Sequence, residues 1–198
     1  MYRTITDFLI RSMEDELDAS LDYLRTIAQE SGGAFVKFLL FAPMSDHRET
    51  IPPEAAAIAR IVSTRAQDCG TCVQIGVNTA RKNGVSRSVV EAALSDEPDD
   101  LTEPLADVYH FARAVVRREV SAAEPYRERV RKNYGRDGLV DLALAIGSAQ
   151  VFPLIKRTLG ESEACRLVEL QWGKEDGAAI SLGRTRAANP SAEAEPVR

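Results

Sequence analysis

The segment Cys69-Gly70-Thr71-Cys72 places two thiols three residues apart. If these residues lie on a helix, a three-residue offset puts both sulfurs near one face, close enough to form a disulfide. A C-x-x-C in a reducing compartment is typical of redox or metal chemistry. We favour the redox interpretation; a pair of inert buried thiols and a metal site are the alternatives.

The metal alternative is weak because of the residues available as further ligands. A closed zinc site usually has four ligands. Beyond the pair the chain offers Cys165, His47 and His110, and none of these is spaced as a second ligand pair. We therefore predict no metal and no other cofactor. Cys165 lies near Leu167 and Val168 in a predicted helix and is interpreted as a core cysteine.

Three polar residues next to the cysteines are candidates for the same site. Asp68 is predicted to cap the N-terminus of a helix that runs from Cys69 to Asn83. The positive end of that helix lowers the pKa of a nearby thiol, whereas the Asp68 carboxylate raises it. Gln74 and Asn78 lie one turn apart, so they line the cysteine pocket or else form a polar helix face or a subunit contact.

Two histidines and a glutamate are further residues to place. His47 and Glu54 each have a structural and a chemical interpretation. His47 is either a solvated loop residue, which we favour, or an acid–base group near the cysteines. Glu54 is either an acid near the cysteines or, as we favour, a negative charge that stabilises a helix N-terminus. His110, between Tyr109 and Phe111, is interpreted as a core or interface histidine.

Charge and composition exclude several classes of protein. The formal net charge is −5, and the basic residues alternate with acids along the chain, which disfavours binding to nucleic acid or to an anionic membrane. The N-terminal segment contains acids and lacks the apolar stretch of a secretory signal. The longest apolar candidate for a membrane span, Ala34 to Met44, is interrupted by Lys37. We expect a cytoplasmic protein.

The elements that must position these residues are all predicted to be helices. Apolar residues at helical spacing from Ile5 to Ala28 predict one long amphipathic helix, with Gly32-Gly33 as its stop. Ala34 to Phe41 is predicted as a buried helix, because no partner strand is evident elsewhere.

The remaining helices follow from their start and stop residues. They are predicted to start at Pro52-Pro53, Cys69, Ser86 and Thr102, and to cover Pro125 to Tyr134, Leu139 to Leu159 and Ser162 to Trp172. A kink is expected at Pro153. Residues 1–182 are therefore predicted to form a single all-α domain, and residues 183–198 a disordered tail.

One part of the chain resembles a known superfamily. The stretch Ile51-Pro52-Pro53 … Asp68-Cys69-Gly70-Thr71-Cys72-Val73-Gln74-Ile75-Gly76-Val77-Asn78 … Gly84-Val85-Ser86 … Glu91-Ala92-Ala93-Leu94 is similar to the core of the alkylhydroperoxidase D and carboxymuconolactone decarboxylase superfamily. In that superfamily a helix leads into C-x-x-C, a second helix ends at a glycine, and a short capped helix follows. The similarity covers residues 50–115 well and residues 139–160 more loosely.

The resemblance implies an all-α, alkylhydroperoxidase D-like multi-helix bundle that assembles as a dimer, trimer or hexamer. It implies that Cys72 is the thiolate that attacks peroxide and that Cys69 resolves the oxidised product. The external reductant would be a lipoyl protein or a thioredoxin-like protein. The function predicted on this basis is a thiol oxidoreductase, and the alternative is a non-catalytic helical oligomer or ligand-binding protein of the same fold.

The chain departs from the peroxidase branch at the residues that move protons. That branch has a histidine where this sequence has Gly76, a glutamate where it has Ala57, and in its best-studied members a histidine where it has Thr71. We therefore expect slow reduction of ordinary hydroperoxides. We also expect Gly76 to leave an open space beside the cysteines, so that Gly76→His raises the rate.

Overall fold

The structure is a computed structural model, and it describes residues 2–96, 98–161, 167–172 and 178–181. This part of the chain is mostly helical, as predicted. The α-helices are α1 (Tyr2–Leu17), α2 (Asp22–Glu30), α3 (Gly32–Phe41), α4 (Pro53–Arg65), α5 (Gly70–Lys82), α6 (Arg87–Leu94), α7 (Glu103–Val116) and α8 (Val120–Thr158). A 3₁₀ helix, Ala42–Asp46, follows α3, and the strands are β1 (Leu167–Leu170) and β2 (Ala178–Ser181).

Two helices, α1 and α2, replace the predicted long first helix. Asp18, with φ of 52°, takes the left-handed conformation just after α1. The chain then turns, and the Leu21 N–H donates to Glu14 Oε1 at 2.9 Å as α2 begins. Gly32-Gly33 starts a helix instead of ending one, because the Ser31 hydroxyl accepts from the Ala34 N–H and caps α3. Apolar spacing could not reveal these two turns, since it continues across them.

The central helices begin and end where their local signals predict. Pro53 starts α4, and the Ser86 hydroxyl accepts from the Val89 N–H at the start of α6. Gly84, with φ of 76°, follows α5 and takes the left-handed conformation that ends it. Thr102 precedes α7 as predicted, although its side chain makes no capping hydrogen bond.

The long helix α8 is interrupted once. Gly135 has φ of 73° and ψ of −173°, which separates helical residues 120–134 from 136–158, in the gap expected between Tyr134 and Leu139. The backbone at Pro153 keeps helical dihedral angles, and α8 continues through it to Thr158.

The prediction that the fold contains no strand is wrong. The predicted final helix, Ser162 to Trp172, is also wrong over its C-terminal residues. Residues Leu167–Leu170 form a strand that pairs antiparallel with Ala178–Ser181. Val168 and Leu170 are fully buried, which is the alternation that a strand with one covered face requires. The predicted start of that helix, Cys165 and the tail from residue 183 lie outside the described residues.

Two apolar cores hold the helices together. The larger surrounds α4, which packs against α5, α6, α7 and α8. The smaller joins α1, α2 and α3 to Phe152 and Ile155 of α8. Within α3 only Phe35 and Phe38 are buried, so the predicted full burial of this segment is wrong: Leu40 is 76% exposed.

The helix α8 has the length and composition of a membrane span, contrary to the expectation that no segment does. An 18-residue window in it has a mean hydropathy of 1.7, and 44% of that window is buried inside the protein. The helix contains buried Asp141 and Lys156 and packs against α4 and α7. These contacts account for the buried part of the window.

A candidate active site at the start of helix α5

The two cysteines lie at the N-terminus of α5 and are both buried. Cys69 is the N-cap residue and Cys72 lies in the first turn, with exposed fractions of 3% and 6%. Asp68 is not the helix cap that was predicted. It has φ of 52°, is exposed and precedes the cap by one residue, because the chain makes a left-handed turn there before the helix starts.

The two thiols lie in the same turn and interact, and this interaction separates their acidities. The pKa of Cys69 is lowered to about 6, first by the hydrogen bond with the Cys72 thiol and then by the Cys72 backbone and the charges of Lys156 and Arg157, against the effect of burial. The pKa of Cys72 is raised, because its proton is held by Cys69 and because it is buried. The interaction thus favours a state of the pair with one thiolate and one thiol.

A cavity of about 520 Å³ opens beside Cys72. It lies between the N-terminal helices on one side and α4, α5 and α8 on the other. Its lining residues are Met13, Glu16, Leu17, Leu21, Tyr23, Phe38, Leu39, Ala42, Pro43, Ser45, Asp46, His47, Arg60, Thr64, Cys72, Ile75, Thr79, Ser148, Ala149, Phe152 and Lys156. Most of these side chains are apolar, and the volume lies within the range of about 300–1,000 Å³ that is typical of small-molecule sites.

Two residues near the cysteines were missed by sequence reasoning. Lys156 of α8 is 5% exposed, lines the cavity, and lowers the pKa of both thiols through its charge. Tyr23 of α2 is also buried in the cavity wall. Burial and the negative charge of the cysteines raise its pKa. The signal in the sequence was a lysine, Lys156, directly after the apolar run Phe152 to Ile155. A lysine at such a position is normally interpreted as solvent-facing, and only the fold shows that it is buried.

His47 reaches the same cavity, at the end of the 3₁₀ helix. Its Nε2 lies 3.4 Å from Oδ1 of Asp141, and its side chain is 36% exposed. The buried Asp141 in turn accepts the backbone N–H groups of Glu49, Thr50 and Ile51 at 3.1, 2.7 and 3.1 Å. The imidazole is thus held by a carboxylate at the wall of the cavity instead of being a freely solvated loop residue.

Gln74 and Asn78 point away from the cavity and join structural elements. The Gln74 side chain donates to the Glu169 carbonyl and accepts from the Glu169 N–H, which fastens β1 to α5. Asn78 donates to the carbonyls of Leu17 and Asp18, at the end of α1. Of the alternatives considered for these residues, the structure places both on a polar helix face.

Glu54 and His110 lie in a different part of the bundle. Glu54 is in the first turn of α4. The pKa of Tyr134 in α8 is raised by burial, then by the charge of Asp107 and then by that of Glu54. His110 stacks on Tyr126, with ring centroids 5.0 Å apart, as a packed histidine should. Neither residue is among those that line the cavity. Among the described residues, no group of three histidine, cysteine or carboxylate side chains is placed to hold a metal ion.

The expected open space at Gly76 is absent. A Cβ atom on Gly76 would lie 3.3 Å from Cγ1 of Ile61, because α4 and α5 approach closely there. The face of α5 that meets the cavity instead carries Cys72, Ile75 and Thr79. The position that holds a histidine in the peroxidase branch therefore faces a neighbouring helix in this chain.

This packing reverses the expectation for Gly76→His. The imidazole would have to enter a filled helix contact, and overpacking of a core typically costs about 1–3 kcal/mol. We predict that urea unfolding shows a loss of this size with no gain in the rate of peroxide reduction. Gly76→Ala is the control, since alanine gains about 1 kcal/mol of helix propensity against a tight Cβ contact. A Gly76→His protein as stable as the wild type would contradict the packing.

No protein-family model, curated protein or solved structure matches this chain. The site therefore has to be interpreted from its own chemistry. Its distinctive features are two buried thiols in the first turn of a helix, one of them with a lowered pKa, and an apolar cavity with a buried lysine beside the other.

Proposed function

We propose that this protein is a thiol oxidoreductase in which Cys69 and Cys72 alternate between a dithiol and a disulfide. The observation that carries the proposal is the buried pair at the N-terminus of α5, in which Cys72 borders the cavity and the interaction with Cys72 lowers the pKa of Cys69 to about 6. Thiolate is the reactive form of cysteine, and a low pKa keeps it present at neutral pH. We also propose, from the sequence resemblance, the alkylhydroperoxidase D-like fold and membership of that superfamily.

The proposed reaction starts with a proton shift within the pair. Movement of the proton from Cys72 to Cys69 turns Cys69–S⁻ with Cys72–SH into Cys69–SH with Cys72–S⁻, and no charge enters or leaves the site. The Cys72 thiolate then attacks the oxidised substrate from the side that faces the cavity. Cys69 can thereby act as the local base that the missing histidine relay supplies in the peroxidase branch.

The proposed substrate class is an organic hydroperoxide with an apolar body. The Cys72 sulfur bonds to the terminal oxygen as the O–O bond breaks, so that Cys72–S⁻ + R′OOH + H⁺ gives Cys72–SOH + R′OH. Cys69–SH then attacks the sulfenic acid, and a disulfide and water result. An apolar lining favours such a molecule over hydrogen peroxide, since its hydrocarbon body is removed from water.

A dithiol protein must supply the two electrons that return the pair to its reduced form. A lipoyl protein or a thioredoxin-like protein is the proposed reductant, by the same resemblance. We further propose a homo-oligomer and a cytoplasmic location, where thiols are kept reduced.

The direct test is oxidation of the reduced protein with one equivalent of cumene hydroperoxide, followed by alkylation and mass spectrometry. We predict a Cys69–Cys72 disulfide within one chain that dithiothreitol reverses, with Cys165 still alkylated. Cys72→Ser should lose this product entirely. A disulfide that includes Cys165, or thiols that stay fully alkylated after treatment, would refute the proposal.

The second candidate is a ligand-binding protein of the same fold without turnover. The apolar cavity of about 520 Å³ favours it, because a cavity of this size binds small apolar molecules whether or not the cysteines react. Binding of an apolar fluorescent probe that is unchanged in Cys69→Ser and Cys72→Ser proteins, together with unreactive thiols, would support this candidate over the first.

A further inference from the structure

Lys156 is a buried cation without a carboxylate partner among the described residues. Its side chain is 5% exposed, and no Asp or Glu in the described part of the chain lies within ion-pair distance of it. The ammonium lies over the Tyr23 ring, 5.0 Å from its centroid. Burying a charge costs several kcal/mol unless other groups compensate it. An aromatic face supplies part of the compensation, and a full negative charge nearby would supply the rest.

The cysteine pair is a source of negative charge within electrostatic range of Lys156. The Lys156 charge acts on both thiols, and Tyr23 is affected by the same two cysteines. Four groups from two helices and the start of a third therefore share one polar cluster. Lys156 and Cys72 also line the same cavity, so a molecule bound there can meet both.

We propose that Lys156 is a catalytic residue, whose ammonium stabilises the thiolate of the cysteine pair and donates a proton to the leaving oxygen of an organic hydroperoxide. The inference rests on the proposed function and extends it. It gives the site a source for the proton that neither Gly76 nor Ala57 can supply.

The reaction then balances with one proton taken from solvent through Lys156. The Cys72 thiolate takes the terminal oxygen of R′OOH, the O–O bond breaks, and R′O⁻ receives a proton from Lys156 to leave as R′OH. Cys69–SH attacks Cys72–SOH, and its proton leaves with the hydroxyl group as water. The pair has lost two electrons, the peroxide has gained them, and the neutral amine regains its proton from solvent.

Other charged groups face this region and must be held constant in a test. Arg157, next along α8, also lowers the Cys69 pKa but is not a lining residue of the cavity. Glu16, Asp46, His47 and Arg60 line the cavity from α1, the 3₁₀ helix and α4. Each of them is unchanged in the variants below.

The test compares Lys156→Met, Lys156→Arg and, as a control on the surface of the same helix, Lys132→Met. Two quantities are measured for each: the pH midpoint of thiolate absorbance at 240 nm, and the single-turnover rate of oxidation by cumene hydroperoxide at pH 9, where the pair is ionised. We expect Lys156→Met to raise the midpoint by about one pH unit, the lower end of the effect of a nearby opposite charge. Its rate at pH 9 should fall about a hundredfold, which is typical of a lost general acid.

Lys156→Arg separates the two roles. Arginine keeps the charge and does not give up its proton, so the midpoint should stay near that of the wild type while the rate at pH 9 still falls at least about tenfold. Lys132→Met should change neither quantity. These results would establish Lys156 as both the partner of the thiolate and the proton donor.

Three outcomes would count against the inference in distinguishable ways. If hydroperoxide does not oxidise the wild type, the proposed function fails and proton donation fails with it. If the wild type reacts and Lys156→Met reacts as fast at pH 9, only the role of Lys156 is refuted. If Lys156→Met does not fold, by circular dichroism, Lys156→Arg decides, since a rate equal to that of the wild type would refute proton donation.

Discussion

Reduced protein at pH 7 is expected to carry a thiolate on Cys69 in about nine chains of ten, against about one in a hundred for a thiol at the ordinary value of 9.0. The cause is the hydrogen bond with Cys72, with smaller contributions from Lys156 and Arg157. Absorbance at 240 nm should rise with a midpoint near pH 6, and iodoacetamide at pH 7 should modify Cys69 first. We would measure both in a Cys165→Ser background, so that each signal comes from the pair.

Two variants test the origin of this titration. Cys69→Ala should remove the low-pH rise, because the remaining Cys72 is buried, which raises its pKa, and no longer has a partner thiol. Cys72→Ala should keep the rise but move it upward by at least about one unit, because the hydrogen bond that contributes most to the low pKa is gone. An unchanged midpoint in Cys72→Ala would show that the thiols do not interact.

The low pKa of Cys69 also links folding to pH. The Cys69 thiol of the unfolded chain is protonated below about pH 9, whereas that of the folded chain is protonated only below about pH 6. The Cys69 thiolate therefore contributes its full stabilisation of the fold above about pH 9. The contribution is lost as the pH falls from 9 through 6. Relative to Cys69→Ala, the reduced wild type should therefore lose stability over this interval.

Local signals account for the parts of the fold that the sequence predicts well. Pro53, Ser86, Gly84 and Gly135 act on backbone groups within one turn of themselves, so their effects do not depend on the rest of the chain. The helices α4 to α7 and the break in α8 follow from them.

The errors in the predicted fold come from contacts between distant segments. The break after α1 is held by Asn78, whose side chain donates to the carbonyls of Leu17 and Asp18. Nothing in the sequence near Leu17 indicates that this distant residue is its partner. The strand β1 is fastened by Gln74 of α5, and a helical pattern of apolar residues cannot reveal a hydrogen-bond partner elsewhere. Tertiary context decided both elements.

The candidate site divides in the same way. The spacing of Cys69 and Cys72 makes their pairing predictable, because both belong to one turn of one helix. Lys156 and Tyr23 come from α8 and α2, and only the packing of these helices against α5 brings them to the thiols. Gly76 was misjudged because the resemblance gives the residue type at that position but not the distance between α4 and α5.

The largest loss of stability is expected from Asp141→Ala. The carboxylate is buried, and its Oδ2 accepts the backbone N–H groups of Glu49, Thr50 and Ile51. Alanine would leave these three donors without that acceptor. A hydrogen bond to a charged group contributes about 1.5–3 kcal/mol, with the larger value expected at buried Ile51 and smaller ones at exposed Glu49 and Thr50, so we predict a total loss of roughly 3–5 kcal/mol in urea unfolding. The segment that carries His47 should lose its position at the cavity wall at the same time.

Asp141→Asn is the matched control for this prediction. Its amide oxygen can take the place of Oδ2 and accept the same three N–H groups, and its NH₂ group would face His47. Asparagine should therefore cost less than half as much as alanine.

The pH dependence distinguishes the charge of Asp141 from its shape. Burial raises the Asp141 pKa, but the three backbone N–H groups and His47 lower it further, so that the net shift is downward from 3.8. The folded protein thus holds the carboxylate ionised, which stabilises the fold above about pH 4 and is lost as the pH falls below that value. Wild type should lose this stability on acidification and Asp141→Asn should not. Equal acid sensitivity in the two proteins, or equal stability of the alanine and asparagine variants, would show that the carboxylate does not anchor residues 49–51.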